Sequence, residues 1–210
     1  MLLPFDYLVK KYRINPKYAL HVGASTGQER DGYQKLGCHV TWVEADPNTY
    51  EELCKNLNGY KNQFAVNACI SDTDGEEVNF YRTNNEGQSS SILELGTHSK
   101  MHPSVKVVDT IKLTTSRIDT LIHQAKIQSV HDFDFINFDI QGNELKALKS
   151  MGSLLKNVKW AYLEVNWDHL YKGCALFGEI QEYMKGFGFE VAETKESGRT
   201  RWGDALLIRK

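Results

Sequence analysis

Cysteine is sparse in this chain: four in 210 residues, at Cys38, Cys54, Cys69 and Cys174, too far apart for any CxxC pair. That spacing excludes a zinc ribbon and a disulfide scaffold and matches a reducing cytosol. An excess of positive charge is missing too. Lys and Arg number 25 against 27 Asp and Glu, a formal net charge of −2, so no basic field of the kind that draws nucleic acid is present. Long apolar runs are absent. The N-terminal stretch MLLPFDYLVKKYRINPKY is broken at Asp6 and again at Lys10, which rules out a signal-peptide core. No segment approaches the ~20 apolar residues of a membrane span. The expectation is a cytoplasmic protein with neither a membrane span nor a nucleic-acid partner. The seven histidines form no tract, and no repeat or low-complexity linker divides the chain.

What is present is a 41% hydrophobic composition, enough for one domain over residues 1–210 with a helical extension at 1–17. Phe5, Leu8, Val9 and Tyr12 recur at helical spacing within 4–13. Strands and helices then alternate: strand 19–23, helix 26–36 closed by Gly37, strand 39–45, helix 47–57 opened by Pro47, strand 63–70 and an extended segment 78–83. Residues 84–104, NNEGQSSSILELGTHSKMHPS, are too polar for core and too long for a simple connector, and are expected to form a functional loop or lid. Extended 105–115, helix 117–127, strand 132–140, helix 143–157, strand 160–166 and a helix near 175–186 follow. The chain ends in strand 189–195, a polar turn and a last strand.

Alternating strands and helices imply a parallel sheet covered on both faces. Two final strands joined by a short turn must be antiparallel. A mostly parallel seven-stranded sheet with a reversed C-terminal hairpin is the methyltransferase variant of the doubly wound α/β fold. In such a sheet ligands bind outside the carboxyl ends of the strands. Gly23 and Gly27 close the first strand, and Glu44 ends the second, where a carboxylate can grip ribose hydroxyls. NAD and S-adenosylmethionine both suit that geometry. The run G-A-S-T-G lacks the middle glycine of a dinucleotide fingerprint, and Glu29 follows it. A pyrophosphate is repelled by that carboxylate and a sulfonium is not.

The segments HVGASTG, VEADPNTYEELCKNL, ISDTDGEEVNFY, GQSSSIL, RIDTLI, INFDIQGNELKALKSMG, LEVN and GDALLIR follow one another between Tyr18 and Arg209. Together they resemble the FkbM-type methyltransferases, and FDIQGNELKALK is similar to that family's D-V-E-G-x-E-x-x-V-L-K. The resemblance implies a Rossmann-like class I fold. It also implies an S-adenosylmethionine-dependent O-methyltransferase acting on a hydroxyl of a sugar, a glycan or a related small molecule. Two positions depart from the pattern: His21 stands where the family usually has Asp, and Gln141 where it frequently has Glu.

The donor site is expected at His21, Gly23, Ala24, Gly27, Glu44, Ala45 and Ser90. Asp139 ends an apolar strand at the edge where the methyl group should point and is the first candidate for catalysis, with Glu164 on the next strand end and His169 in the loop beyond. Asn166, Tyr171 and Asp204 are expected to face the acceptor, and Trp167 and Trp202 could stack on a sugar ring. Asp46 is expected to cap a helix and Glu144 to stabilise one. The preferred mechanism needs no metal. A magnesium or manganese ion, if used, would sit on Asp139 and Glu164. An NAD-dependent oxidoreductase and a non-catalytic partner module are the alternative readings, and a homodimer is compatible with either.

Overall fold

The computed structural model describes residues 2–127 and 133–210. A helix α1 (Phe5–Tyr12) precedes β1 (Tyr18–Val22), α2 (Arg30–Lys35), β2 (His39–Glu44), α3 (Pro47–Asn56) and β3 (Gln63–Asn67). Two strands follow, β4 (Cys69–Ile70) and β5 (Glu77–Thr83), then the one-turn helix α4 (His98–Met101) and β6 (Val107–Ser116). Next come α5 (Ile118–His123), β7 (Phe135–Phe138), α6 (Glu144–Met151), a 3-10 turn (Gly152–Lys156) and β8 (Trp160–Asn166). The chain closes with α7 (Phe177–Lys185), β9 (Phe189–Glu196), a short 3-10 turn (Gly198–Thr200) and β10 (Trp202–Arg209).

The main sheet has the order β3-β2-β1-β7-β8-β10-β9. All its pairings are parallel except those of β10, which runs antiparallel to both β8 and β9. The expected terminal hairpin is therefore present, with β10 as the reversed strand. The order turns outward in two directions from β1 and β7, which makes their carboxyl ends the switch point where a ligand binds in such sheets.

Strand alternation sorts the two faces. Leu20 and Val22, Ile136 and Phe138, and Ala161, Leu163 and Val165 point to one core, shared with residues of α5, α6 and α7. The intervening residues Ala19, Trp42, Phe135, Tyr162 and Leu206 form the second core with Leu8 of α1, Tyr33 of α2 and Leu53 of α3. By the same period of two, His21, Asn137, Glu164, Asn166 and Asp204 belong to this second face. All five are buried, so these strands gather polar side chains within the second face.

Several expected boundaries shift for local reasons. The helix expected at 26–36 begins only at Arg30, because Ser25 (φ 47) and Gly27 (φ 77) hold left-handed backbone that no right-handed helix can continue through. The strand expected at 63–70 breaks at Ala68, whose N–H donates to the Glu44 carbonyl. Its last two residues join a separate three-stranded sheet, β4-β6-β5. Of the strand expected at 132–140, Asp132 lies outside the described residues and 135–138 are extended. Among the described residues no helix is long and apolar enough to cross a membrane.

Candidate active site

A cavity of about 770 Å³ opens at the carboxyl edge of β1, β2, β7 and β8. One wall is the turn after β1. Gly23 has φ +84, and a Cβ there would lie 1.8 Å from the Asp139 carbonyl oxygen. The bare backbone at this point is thus demanded first by the neighbouring strand end, which it lets approach.

Glu44 ends β2 and is 8% exposed. Its Oε2 accepts from the Ser25 N–H at 2.8 Å and its Oε1 from the Asp46 N–H at 2.9 Å. Burial raises its pKa to about 7, against the pull of those backbone donors. Ala45, Ala68, Cys69 and Ile70 continue this wall. Asp46 accepts from Asn48 N as the N-cap of α3, as expected, and also receives the Arg82 guanidinium through Nε and Nη2 at 2.5 and 2.8 Å.

The floor is a carboxyl pair. Gln141 Nε2 donates to Asp139 Oδ1 and to Glu164 Oε2, both at 2.7 Å, and Gln141 Oε1 accepts from the Tyr171 hydroxyl at 2.5 Å. Gln141 has φ 55, a left-handed conformation that folds its side chain back over the strand ends. Burial raises the pKa of Asp139 and holds that of Glu164 well above the carboxylate range, where the nearby Asp139 charge raises it further. Of the two, Glu164 is the harder to ionise. Beside it the Asn166 side-chain nitrogen is buried without a partner.

His21 stacks on Trp42 (centroids 4.5 Å apart) and its Nδ1 lies 3.4 Å from both Tyr33 OH and Asn137 Nδ2. Burial lowers its pKa to about 3, although Asp139 pulls the other way. It is a neutral member of the buried polar set.

The roof comes from 84–104, which link β5 to β6. Ser91 pairs with Tyr81 and Leu95 with Tyr171 as isolated bridges. Ser89, Ser90 and Ser91 line the cavity, together with His98 and His102. Ser89 Oγ lies 3.2 Å from His98 Nε2, while His98 Nδ1 is buried without a partner. Burial, and secondarily His102, lowers the pKa of His98 to about 4.

The sequence of residues 21–191 matches the methyltransferase FkbM domain. This chain belongs to the FkbM methyltransferase family. It is therefore an S-adenosylmethionine-dependent methyltransferase by family, which replaces the oxidoreductase reading. Among solved structures the FkbM domain is similar in fold to magnesium protoporphyrin IX methyltransferase from Synechocystis PCC 6803 with bound SAM. That pair has 11% identity and a TM-score of 0.55, with 98% of this chain and 76% of the other covered. The fibrillarin pre-rRNA processing protein of Methanococcus jannaschii is also similar, at 15% identity and a TM-score of 0.52 over 93% and 67% of the two chains. Comparison with curated protein sequences gives no significant match.

The FkbM domain brings together most of the residues expected at its site. His21, Gly23, Glu44, Ala45, Ser90, Asp139, Glu164, Asn166 and Tyr171 all line the cavity, as does Trp202. Four do not. Ala24 packs into the second core, and Gly27 sits behind the turn, where an added Cβ would meet Leu53 at 2.9 Å. His169 is exposed. Its carbonyl accepts from Thr97 N and Thr97 Oγ1 at 3.0 and 3.1 Å and its N–H donates to Asp168 Oδ1 at 2.7 Å, and the residue is not part of the cavity lining. Asp204 is fully buried, but its Oδ2 accepts from Leu2 N, from Leu3 N at 2.7 Å and from the Tyr162 hydroxyl at 2.7 Å. It anchors the N-terminal segment instead of facing an acceptor, and that segment supplies Leu3, Pro4 and Phe5 to the cavity wall.

The carboxyl pair does not fit a metal. The space between Asp139 and Glu164 is taken by the N–H donors of Gln141, which a cation would have to face. Among the described residues no group of three His, Cys, Asp or Glu side chains is arranged for coordination. Sequence reasoning missed Gln141, His98, His102 and Tyr162. Gln141 was visible as a departure from the family pattern, whereas the two histidines lie in a polar stretch with no periodicity to mark them.

Proposed function

We propose that this methyltransferase acts on oxygen, at a hydroxyl of a sugar, a glycan or a related small molecule. The observation that supports it best is the Asp139–Glu164 pair at the cavity floor, bridged by Gln141 and flanked by the unpaired Asn166 amide. In this reading Glu44 accepts from the ribose hydroxyls, with the backbone of Gly23, Ser25 and Ala45 beside it and Ser90 in the same lining. When bound, the donor supplies a methyl group already activated by the positive sulfur, which leaves as a neutral sulfide.

The protein's own task is then to orient the hydroxyl and receive its proton. As the new carbon–oxygen bond forms and the carbon–sulfur bond breaks, the hydroxyl proton passes to Asp139, the more readily ionised of the pair. Its pKa, raised by burial, makes it a better base than an ordinary aspartate. Asn166 can donate to a neighbouring acceptor oxygen, and Tyr171 and Trp202 give flat apolar surface for a ring.

The test is S-adenosylhomocysteine formation with a panel of deoxysugar glycosides and polysaccharide fragments. Asp139→Asn should lower turnover by roughly a hundredfold or more while still binding S-adenosylhomocysteine, and EDTA should leave the wild-type rate unchanged. A product methylated on nitrogen or carbon, or full activity in Asp139→Asn, would contradict the assignment.

A further inference from the structure

The cavity carries one sign of charge. Six carboxyl side chains line it, Glu29, Glu44, Asp46, Glu86, Asp139 and Glu164, and among the described residues no lysine or arginine does. Only Asp46 of these is paired with a cation, Arg82, which is not itself part of the lining. The imidazoles do not make up the difference. His21 and His98 are kept neutral by burial, with pKa values near 3 and 4, which leaves His102 as the remaining imidazole of the wall. At the floor the Asn166 amide nitrogen, 1% exposed and without a partner, is a neutral donor waiting for an oxygen. Burial raises the pKa of Glu29, Glu44, Asp139 and Glu164, so these carboxyls are not all ionised at once, but whatever charge they carry is negative, against the one net positive charge the donor brings.

We propose that the acceptor is uncharged or carries an ammonium group, and bears no phosphate, sulfate or carboxylate near the hydroxyl that is methylated. The inference rests on the O-methyltransferase reading above and narrows its acceptor class. Nucleotide-activated sugars, sugar phosphates and nucleic-acid backbones fall outside it. An anion brought into this pocket gives up hydration and meets like charge at close range, with no side-chain cation in the lining to compensate. A neutral polyol meets carboxylates and an amide that its hydroxyls can satisfy.

The test uses probes that share the adenosyl and amino-acid parts of the donor and replace its sulfonium by a tertiary amine. In place of the methyl they carry an alkyl arm of one length, ending in a hydroxyl, an ammonium or a carboxylate. Because the scaffold is constant, differences in Kd report the arm alone. Calorimetric titration of the wild-type protein should show the hydroxyl and ammonium arms binding at least about tenfold more tightly than the carboxylate arm. In Asp139→Asn, which removes the more readily ionised carboxyl of the floor, the gap should narrow. Equal affinities for the three arms, or tighter binding of the carboxylate, would overturn the proposal. S-adenosylhomocysteine titrated in the same series reports on the donor site by itself, so a failure there is told apart from a failure of the charge rule.

Discussion

Replacing Glu44 by Gln removes one charge from the end of β2 and keeps the length of the side chain. In the free protein burial raises the pKa of this carboxyl to about 7, so near neutrality it is only partly ionised. Ribose hydroxyls donate more strongly to a carboxylate than to a carboxylic acid. Donor binding therefore favours the ionised form, lowers the pKa in the complex and releases a proton below pH 7. The sign follows: affinity for S-adenosylhomocysteine rises with pH. With a free-state pKa of about 7, binding at pH 6 should be roughly tenfold weaker than at pH 8 or above, and weaker again by about tenfold at pH 5. Glu44→Gln should lose that dependence. Exchanging two charge-assisted hydrogen bonds for neutral ones costs about 1 kcal/mol each, so its plateau affinity should drop by roughly thirtyfold. The same shift makes ionised Glu44 a burden on the free fold. The unfolded chain releases this proton first, so stability falls as pH rises from 4.5 to about 7, by roughly 3 kcal/mol in total. Calorimetry across that range, in buffers of different ionisation enthalpy, measures Kd and proton release together. A wild-type Kd that is flat with pH, or the same slope in wild type and Glu44→Gln, would refute the reasoning.

Gly23→Ala should cost roughly 3 kcal/mol or more, because its Cβ would lie 1.8 Å from the Asp139 carbonyl at φ +84; a melting temperature within about 2 °C of wild type would contradict this. Glu144→Ala should destabilise by about 2–4 kcal/mol in urea unfolding, since its carboxylate accepts from Ile140 N at 2.9 Å and Gly142 N at 3.1 Å and ties the β7–α6 turn. Hydrogen exchange over 84–104 should slow when S-adenosylhomocysteine is added, because Ser89, Ser90 and Ser91 line the cavity; unchanged protection would count against a lid.

The order of elements was legible because the core strands are short, mostly apolar runs and longer helices such as α1, α6 and α7 keep an apolar stripe. Their ends were less so. Nothing in the residues 26–36 announces that Ser25 and Gly27 adopt left-handed backbone. The small sheet was hidden for a different reason. Its shortest strand has two residues, and its pairing of Cys69 with Thr115 joins positions far apart in the chain, a link no local pattern encodes. At the site, strand-end logic found Glu44, Asp139, Glu164 and Asn166, since alternation and topology alone bring them to one edge and, for the last two, one face. It failed where a loop or a reversed strand decides direction. His169 follows a strand end yet turns outward, while His98, from a stretch with no period, turns in.

Asp204 is the instructive case. Its register opposite Glu164 places it on the polar face at the correct edge, and that much was deducible. What was not deducible is that residues 2 and 3 arrive there first. Two backbone N–H groups and the Tyr162 hydroxyl converge on one of its oxygens, and Tyr162 also donates to the Leu3 carbonyl at 2.6 Å. A buried carboxylate is tolerated when donors satisfy it, and here donors from the chain itself satisfy Oδ2, while among the described residues Oδ1 has no partner. The same demand explains Gln141. Two buried carboxyls at neighbouring strand ends need a donor between them, and a third carboxyl in that position would supply charge instead. The amide meets the need with its Nε2, and the Tyr171 hydroxyl on its Oε1 keeps it turned that way. The departure from the family pattern at Gln141 is thus what allows Asp139 and Glu164 to share one cavity floor.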